Sequence, residues 1–210
     1  MNRSLKKTLV FKVSGRNPDS KIITSAAKAL RAGGLVAFPT ETVYGLAANL
    51  LDKGAISELH RVKDRPKGKP FTVHIADTAI IRKMGCPVTK EAKILIDKFW
   101  PGPLTVILRS KSGEKIGFRM PDNKVALELI KKSKVPVVAP SANISGRKPP
   151  TSAPEVLADL NGKIDVVIDS GRTGLGIEST VVDLTQSPPV ILREGAIKKH
   201  QIFRLLKIKI

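Results

Sequence analysis

SKIITSAAKALRAGGLVAFP, residues 20–39, holds two hydrophobic patterns side by side. In its first part Ile22, Ile23, Ala26, Ala27 and Leu30 recur at helical spacing. Ser20 stands where it could cap a helix running through Ala32, and Gly33-Gly34 ends it. Leu35-Val36-Ala37-Phe38 is then a continuous apolar run, the pattern of a buried strand, and Pro39 stops it. A helix followed directly by a buried strand is the unit of an α/β protein, and the pattern repeats on the C-terminal side. Asp52 can cap a second helix with Ile56, Leu59 and Val62 facing inward. That helix must stop before Pro66, because the residue preceding a proline disfavours helical dihedrals. Residues 71–76 alternate as a strand, with Phe71, Val73 and Ile75 on one side and Thr72 and His74 on the other. Helices are expected over 89–100, 122–133 and 154–160, and strands over 104–108, 116–120, 135–139, 164–168, 180–184 and 190–193. Residues 198–210 are basic and apolar and should dock at an edge as a helix or strand. The fold expected is α/β (α+β in detail): three layers, with a twisted mixed β-sheet carrying helices on both faces.

Composition narrows the function classes. No apolar run approaches the roughly 18 residues that a membrane span needs, so no membrane association is expected. The start of the chain, MNRSLKKTLVFKVSGR, is basic but lacks the apolar core and cleavage site of a secretory signal. Cys86 is the single cysteine, which excludes an intrachain disulfide and suits a reducing, cytoplasmic setting. The charge is unusual: 37 Lys+Arg against 18 Asp+Glu, a formal net charge of +19. Such an excess points to anionic partners (nucleotides, RNA or a membrane surface) or to a lysine-rich solvated surface. Aromatic residues are only 4%, so contact with RNA would be made through phosphates rather than by base stacking.

Four segments could carry chemistry. Lys63-Asp64-Arg65-Pro66-Lys67-Gly68-Lys69 places four cations in seven residues, which suits a triphosphate clamp or an ordinary solvated loop. Pro140-Ser141-Ala142-Asn143-Ile144-Ser145-Gly146 follows an apolar strand. There small polar groups can hold a ligand or bond their own turn, and Thr151 further on could do either. Pro39-Thr40-Glu41-Thr42-Val43-Tyr44-Gly45 offers Thr42 to a small polar substrate, while Tyr44, the only tyrosine, reads as a core ring with a satisfied hydroxyl. Ser170 to Thr180 is glycine-rich without the ending of a nucleotide-binding P-loop. His74 shares a strand face with Thr72 and could project into a cavity. Arg119 and Arg193 are lone cations on apolar strands and need a partner, either a substrate anion or a protein acid. Three histidines and one cysteine build no common zinc site, so no metal held by protein ligands is expected. No nucleophile elbow or Ser-His-Asp order is present.

Taken together and in order, these segments resemble the YrdC-like family. The matching stretches are GLVAFPTETVYGLAANL (34–50), KDRPKGKPFTVHI (63–75), FWPGPLTVIL (99–108), FRMPD (118–122), VPVVAPSANISGRKPPT (135–151), GIESTVVDL (176–184) and VILREGAI (190–197). They cover about residues 20–197, and Lys63, Arg65, Ser141 and Asn143 meet the family's separated Lys-x-Arg and Ser-x-Asn signature. The resemblance implies a YrdC/RibB-like fold with a large concave basic cavity, residues 1–210 forming one domain of the short form with a basic tail at 198–210. It implies synthesis of threonylcarbamoyl-AMP from L-threonine, bicarbonate and ATP with Mg²⁺. The product would pass to a threonylcarbamoyl transferase complex that modifies the tRNA adenosine beside the anticodon. By position, Lys63 and Arg65 match the catalytic signature. Arg65, Lys69, Asn143, Thr151 and Arg193 match places that contact ATP, and Thr42, His74, Arg119, Ser141 and Ser179 match the threonine pocket. Lys69 stands where many relatives carry Asn, and Lys115 where many carry Thr. An accessory protein that binds tRNA or double-stranded RNA without synthase activity is the competing expectation. A carbamoyl-handling module is a third, but such modules sit in longer chains with zinc-finger and acyl-phosphatase-like parts.

Overall fold

The structure is a computed structural model and describes residues 7–66, 68 and 70–208. Lys69 and the ends of the basic termini, 1–6 and 209–210, lie outside the described residues. In chain order the elements are β1 (Leu9–Lys12), α1 (Ser20–Arg31), β2 (Val36–Phe38), β3 (Gly45–Asn49), α2 (Lys53–Val62), β4 (Val73–His74), α3 (Ala79–Lys83), α4 (Lys90–Phe99) and β5 (Leu104–Arg109). They continue with β6 (Lys115–Arg119), α5 (Lys124–Ser133), β7 (Val137–Val138), α6 (Ala153–Leu160), β8 (Val166–Asp169), β9 (Thr180–Asp183), β10 (Val190–Arg193) and α7 (Lys199–Leu205).

Helix α1 is capped by Asp19 rather than Ser20. The Asp19 carboxylate accepts from the backbone N–H groups of Lys21 and Ile22, and Ser20 becomes the first helical residue. After Arg31 the chain leaves through Gly33 at φ +83°, a left-handed turn where a β-carbon would also sit 2.6 Å from Asp52 Oδ2. Asp52 caps α2 as expected, accepting from Gly54 and Ala55. Strands β4 and β7 are shorter than the alternation implied. Pro136 and Pro140 flank β7 and have no N–H to give, and Ala139 N donates to Thr72 O outside the regular ladder. The C-terminal stretch forms α7, whose Ile202 is fully buried and joins the same core as α4.

The ten strands form one mixed sheet in the order β1-β8-β2-β3-β7-β4-β6-β5-β9-β10. β8 runs parallel to both β1 and β2, β4 to β6, and β5 to β9. The remaining pairs are antiparallel. Alternate residues of the apolar strands enter different cores. Leu35, Ala37, Leu46, Val138 and Val167 pack with α2, α4, α6 and α7. Val36, Phe38, Ala47, Val137 and Ile168 pack with α1 and α5. This is why β2, β7 and β8 read as unbroken apolar runs: both of their faces are covered.

The helices are shared unequally. On one face, α2, α3, α4, α6 and α7 all contribute to one core. On the other, among the described residues, α1 and α5 cover only the β1-β8-β2-β3-β7 half. The register carries that second face onward. His74 pairs with Val137 on one side and Arg119 on the other, and Ile107 pairs with both Gly117 and Asp183. Residues paired directly across a sheet point the same way. Thr72, His74, Arg119, Gly117, Thr105 and Val181 therefore lie on the α1/α5 face, in the half that no helix of the described residues covers. No helix of the described residues is long and apolar enough to cross a membrane.

Candidate active site

That uncovered half floors a cavity of about 460 Å³. An adjoining hollow of about 510 Å³ shares Arg65, Pro70, Phe71, Thr72, Thr105 and Val181 with it, so the two form one groove. The walls are the loop after β2, the exit of α2, the turn after β7 and the Glu178–Ser179 segment.

The two signature pairs of the sequence meet here through one side chain. Lys63 is the C-cap of α2 and only 2% exposed. Its Nζ donates to the backbone carbonyls of Ser141 at 2.5 Å and Asn143 at 2.6 Å. Its own carbonyl accepts from Ser145 N at 2.7 Å. Lys63 thus staples the 141–145 turn from both its side chain and its backbone. Burial, then the nearby Arg65 charge, bring the ammonium down from 10.5 to about 8. Asn143 donates to the carbonyls of Ile144 and Arg147, while its Oδ1 is buried without a partner, as is the hydroxyl of Ser145. Arg65 lies over the Phe71 ring, 5.2 Å from its centroid, and its Nη2 donates to Pro70 O at 3.3 Å. Among the described residues it has no carboxylate partner, its Nε is orphaned, and burial lowers its pKa.

The far end of the cavity is built on the sheet. Arg119 ends β6, is 6% exposed, and pairs with Glu41 at 2.9 Å and with Thr42 Oγ1 at 2.7 Å. Its Nε and Glu41 Oε2 are both buried and unpartnered. Burial lowers the Arg119 pKa, and Glu41 opposes that shift. Next to it, His74 packs edge-on against Phe38, and burial with the Arg119 charge pushes it down to about 3. The ring is therefore neutral. Its Nδ1 lies 3.3 Å from the Thr72 carbonyl, which can only accept, so Nδ1 carries the proton and Nε2 is an acceptor. Ser179 Oγ bonds Thr105 Oγ1 at 2.9 Å. Arg193 reaches Ser179 O at 3.0 Å and Oγ at 3.2 Å, and ion-pairs with Glu178 at 2.6 Å. Gly195 makes that approach possible, because a β-carbon there would lie 2.2 Å from Glu178 O.

Of the residues singled out in the sequence, Lys63, Arg65, His74, Arg119, Ser141, Asn143, Ser179 and Arg193 line the cavity. Thr42 stands behind it, fully buried under Arg119. Thr151 is held at the start of α6 by Glu155 and Arg172, away from the lining. Lys115, on the rim of the adjoining hollow, is neutralised by Asp183 at 2.9 Å. Tyr44 is a fully buried ring whose hydroxyl donates to Gly171 O at 2.7 Å. The structure adds Thr105, Ser145, Arg147 and Glu178 to the lining and Glu41 behind it. Ser145, Arg147, Glu178 and Glu41 all stand inside segments with a polar pattern. Thr105 is a lone hydroxyl in an apolar strand, and that hydroxyl is the only local signal of its position.

A mixed ten-stranded sheet, half covered on one face, with a cleft ringed by guanidinium groups, defines the class: an α/β protein whose site lies on open sheet. The chain belongs to the Sua5/YciO/YrdC family, whose profile, described as telomere recombination, matches residues 28–195. It is 44% identical over 208 residues to the threonylcarbamoyl-AMP synthase of Pyrococcus abyssi, covering 95% of this chain and 61% of that protein. It is 45% identical over 190 residues to that of Bacillus subtilis, covering 86% of this chain and 55% of that protein. The chain thus spans little more than half the length of these two relatives. A putative threonylcarbamoyl-AMP synthase of Methanocaldococcus jannaschii is 34% identical, with 94% of this chain and 98% of that protein covered. The crystal structure of P. abyssi Sua5 complexed with L-threonine superposes with a TM-score of 0.90 at 42% identity, over 95% of this chain and 61% of that one.

Proposed function

We propose that this cavity joins L-threonine, bicarbonate and ATP into threonylcarbamoyl-AMP and releases pyrophosphate. One observation carries the reading. The buried polar atoms left without partners at Arg65, Asn143, Ser145 and Arg119 all belong to residues on the lining of one cavity. Unpaired buried groups are costly, and a ligand with several anionic and hydrogen-bonding groups would satisfy them together. The names of the relatives, and the threonine bound in the P. abyssi structure, support this choice of ligand.

The residues divide by chemistry. Arg119 has a free Nε and is already held by Glu41, so it can receive the threonine carboxylate. The neutral His74 ring presents Nε2 to accept the threonine hydroxyl, and Ser141 and Ser179 close that end with small donors. Arg65 and Asn143 at the other end, and Arg193 beside Ser179, are assigned to the nucleotide, as are Lys69, outside the described residues, and Thr151, which Glu155 and Arg172 hold off the lining. Threonine's amine adds to bicarbonate carbon with loss of water, giving a carbamate. A carbamate oxygen then attacks the α-phosphorus in line, and pyrophosphate leaves. Both nucleophiles come from the substrates, so the protein's task is positioning and charge stabilisation. Among the described residues Glu178 is the only carboxylate on the lining, and it is already paired with Arg193. The described residues hold no metal-binding cluster. The donor set fits Mg²⁺ that arrives as substrate on ATP, held by phosphates and water. The product suits a downstream threonylcarbamoyl transferase acting on tRNA adenosine, in the cytoplasm.

The test is incubation of the protein with MgATP, bicarbonate and labelled L-threonine. Pyrophosphate and a labelled adenylate should appear only when both threonine and bicarbonate are present. Their absence with all substrates supplied would sink the reading.

A further inference from the structure

Threonine is a zwitterion, and the cavity treats its two charges unequally. Among the described residues, five cations stand on the lining, Lys63, Arg65, Arg119, Arg147 and Arg193, against one carboxylate, Glu178. Anionic groups have several places to go. The ammonium has a single acid to meet, since Glu41 stands behind Arg119 and off the lining.

Glu178 is within reach of it. Val106 pairs with Phe118, so Thr105 stands next to Arg119 on the cavity side of the sheet. Thr105 Oγ1 bonds Ser179 Oγ, Arg193 Nη2 reaches that same Oγ, and Arg193 Nη1 holds Glu178 at 2.6 Å. This run of contacts carries Glu178 to the Arg119 end of the cavity. Burial lowers the pKa of both Lys63 and Arg119, and the Glu178 charge is among those that oppose it in each. The carboxylate is thus felt at both ends. An amino acid whose carboxylate takes the free Nε of Arg119 carries its ammonium on the adjoining carbon, where five cations repel it and Glu178 attracts it.

Arg193 stands in the way. Its Nε donates to Ser179 O, its Nη2 to Ser179 Oγ and its Nη1 to Glu178 Oε1, so each nitrogen of the guanidinium already has a protein partner. For Arg193 to meet a phosphate and Glu178 an ammonium, each must release the other. The pair is suited to exchange. Its side chains are 41% and 32% exposed, and ion pairs in contact with water contribute little net stability. The backbone stays in place, because Glu178 O accepts from Ala196 N at 3.1 Å and packs against Gly195. Only two side chains turn, and one ion pair within the protein becomes two between protein and ligands.

We infer that Glu178 accepts the threonine ammonium, and that its turn toward threonine releases Arg193 to the nucleotide phosphates. The inference rests on the function proposed above. It couples the two substrates through one carboxylate: threonine bound first frees Arg193, and nucleotide bound first frees Glu178, as the reciprocity of coupling requires.

The test is calorimetric binding to the full chain. The ligands are L-threonine, the analogue of the same configuration with a hydroxyl in place of the α-amino group, and the magnesium complex of a non-hydrolysable ATP analogue. The parent should bind L-threonine about tenfold or more tightly than the hydroxy analogue. L-threonine should tighten nucleotide binding by about fivefold or more. Glu178→Gln should bind L-threonine about tenfold or more weakly, with the preference for amine over hydroxyl falling to near parity and the coupling to nucleotide lost. Its nucleotide affinity without threonine should equal or exceed that of the parent, because no carboxylate holds Arg193. Arg193→Gln should show the opposite split, with weaker nucleotide binding and threonine binding kept or improved. Thermal unfolding of both variants should match the parent. An amine preference in Glu178→Gln equal to the parent's would overturn this inference alone. Equal loss of threonine and nucleotide affinity in Glu178→Gln would also overturn it, since that is the mark of a structural role. A parent that binds no threonine would overturn the proposed function together with it.

Discussion

Replacing Lys63 with Met removes one charge and keeps most of the side chain's length. Two opposing quantities follow from the geometry. The two hydrogen bonds to Ser141 O and Asn143 O are charge-assisted, at about 1.5–3 kcal/mol each. Against them stands the burial cost expressed in the fall of the Lys63 pKa from 10.5 to about 8, about 3 kcal/mol at 1.36 kcal/mol per unit. These two effects largely offset, so Lys63→Met should change global stability at pH 7 by less than about 3 kcal/mol. The turn is affected differently. Its carbonyls lose their common anchor, and Ser141, Asn143 and Ser145 are freed to shift. A displacement of about 1 Å at a positioning group costs on the order of a hundredfold in rate. The expected result is a folded protein whose kcat for pyrophosphate release is lower by about a hundredfold. The stability comparison has a signed pH dependence. The unfolded state, with Lys63 near 10.5, binds more protons than the folded state between about pH 8 and 10.5. Parent stability should therefore rise relative to Lys63→Met across that window, by up to about 3 kcal/mol. Denaturant unfolding at about pH 7, 8.5 and 10 measures this beside the kinetics. Activity within about threefold of the parent would refute the staple, and so would a stability difference that does not move with pH.

Other perturbations read other parts of the site. Arg119→Lys loses the guanidinium whose Nη2 bridges Glu41 and Thr42 and whose Nε is open to the substrate, and should raise the KM for threonine by about tenfold or more, with a smaller effect on the KM for ATP. Steady-state kinetics in both substrates decides this. Gly195→Ala places a carbon 2.2 Å from Glu178 O. It should push β10 away from Ser179 and lower both activity and melting temperature, as activity assays and calorimetry would record. Asp183 is held down to about 2 by its hydrogen bonds with Thr185 and Lys115, against the upward push of burial. Its contribution, about 2 kcal/mol, is present above the ordinary carboxylate value of 3.8 and is lost as pH falls toward 2. Asp183→Asn should therefore flatten the acid limb of a stability–pH curve. Asp19→Ala should cost α1 its cap, about 1 kcal/mol, or a few degrees of melting temperature.

Much of this molecule is local enough to be legible in the chain. Helical spacing, Gly33-Gly34 and the Asp52 cap mark α1 and α2, because periodicity and end signals act over a few residues. The apolar runs Leu35–Phe38 and Val166–Ile168, the latter within the strand expected over 164–168, mark strands buried on both faces, since polar residues are costly where helices cover both sides. Alternation overstates the length of β4 and β7, because it shows which side chains point together but not where prolines interrupt the ladder. Asp19 takes the cap of α1 from its neighbour Ser20, a choice settled by backbone dihedrals. The ordered motifs carry the family, and with it most of the lining of the cavity. That α1 and α5 leave half of one sheet face bare depends on strand order, which no local pattern encodes. Nor does any local pattern show that Lys63, which reads as a phosphate cation, spends its charge on the carbonyls of the Ser-x-Asn turn 78 and 80 residues away. Contacts at that separation exist only once the chain has closed around them, and only there does a basic loop become a staple.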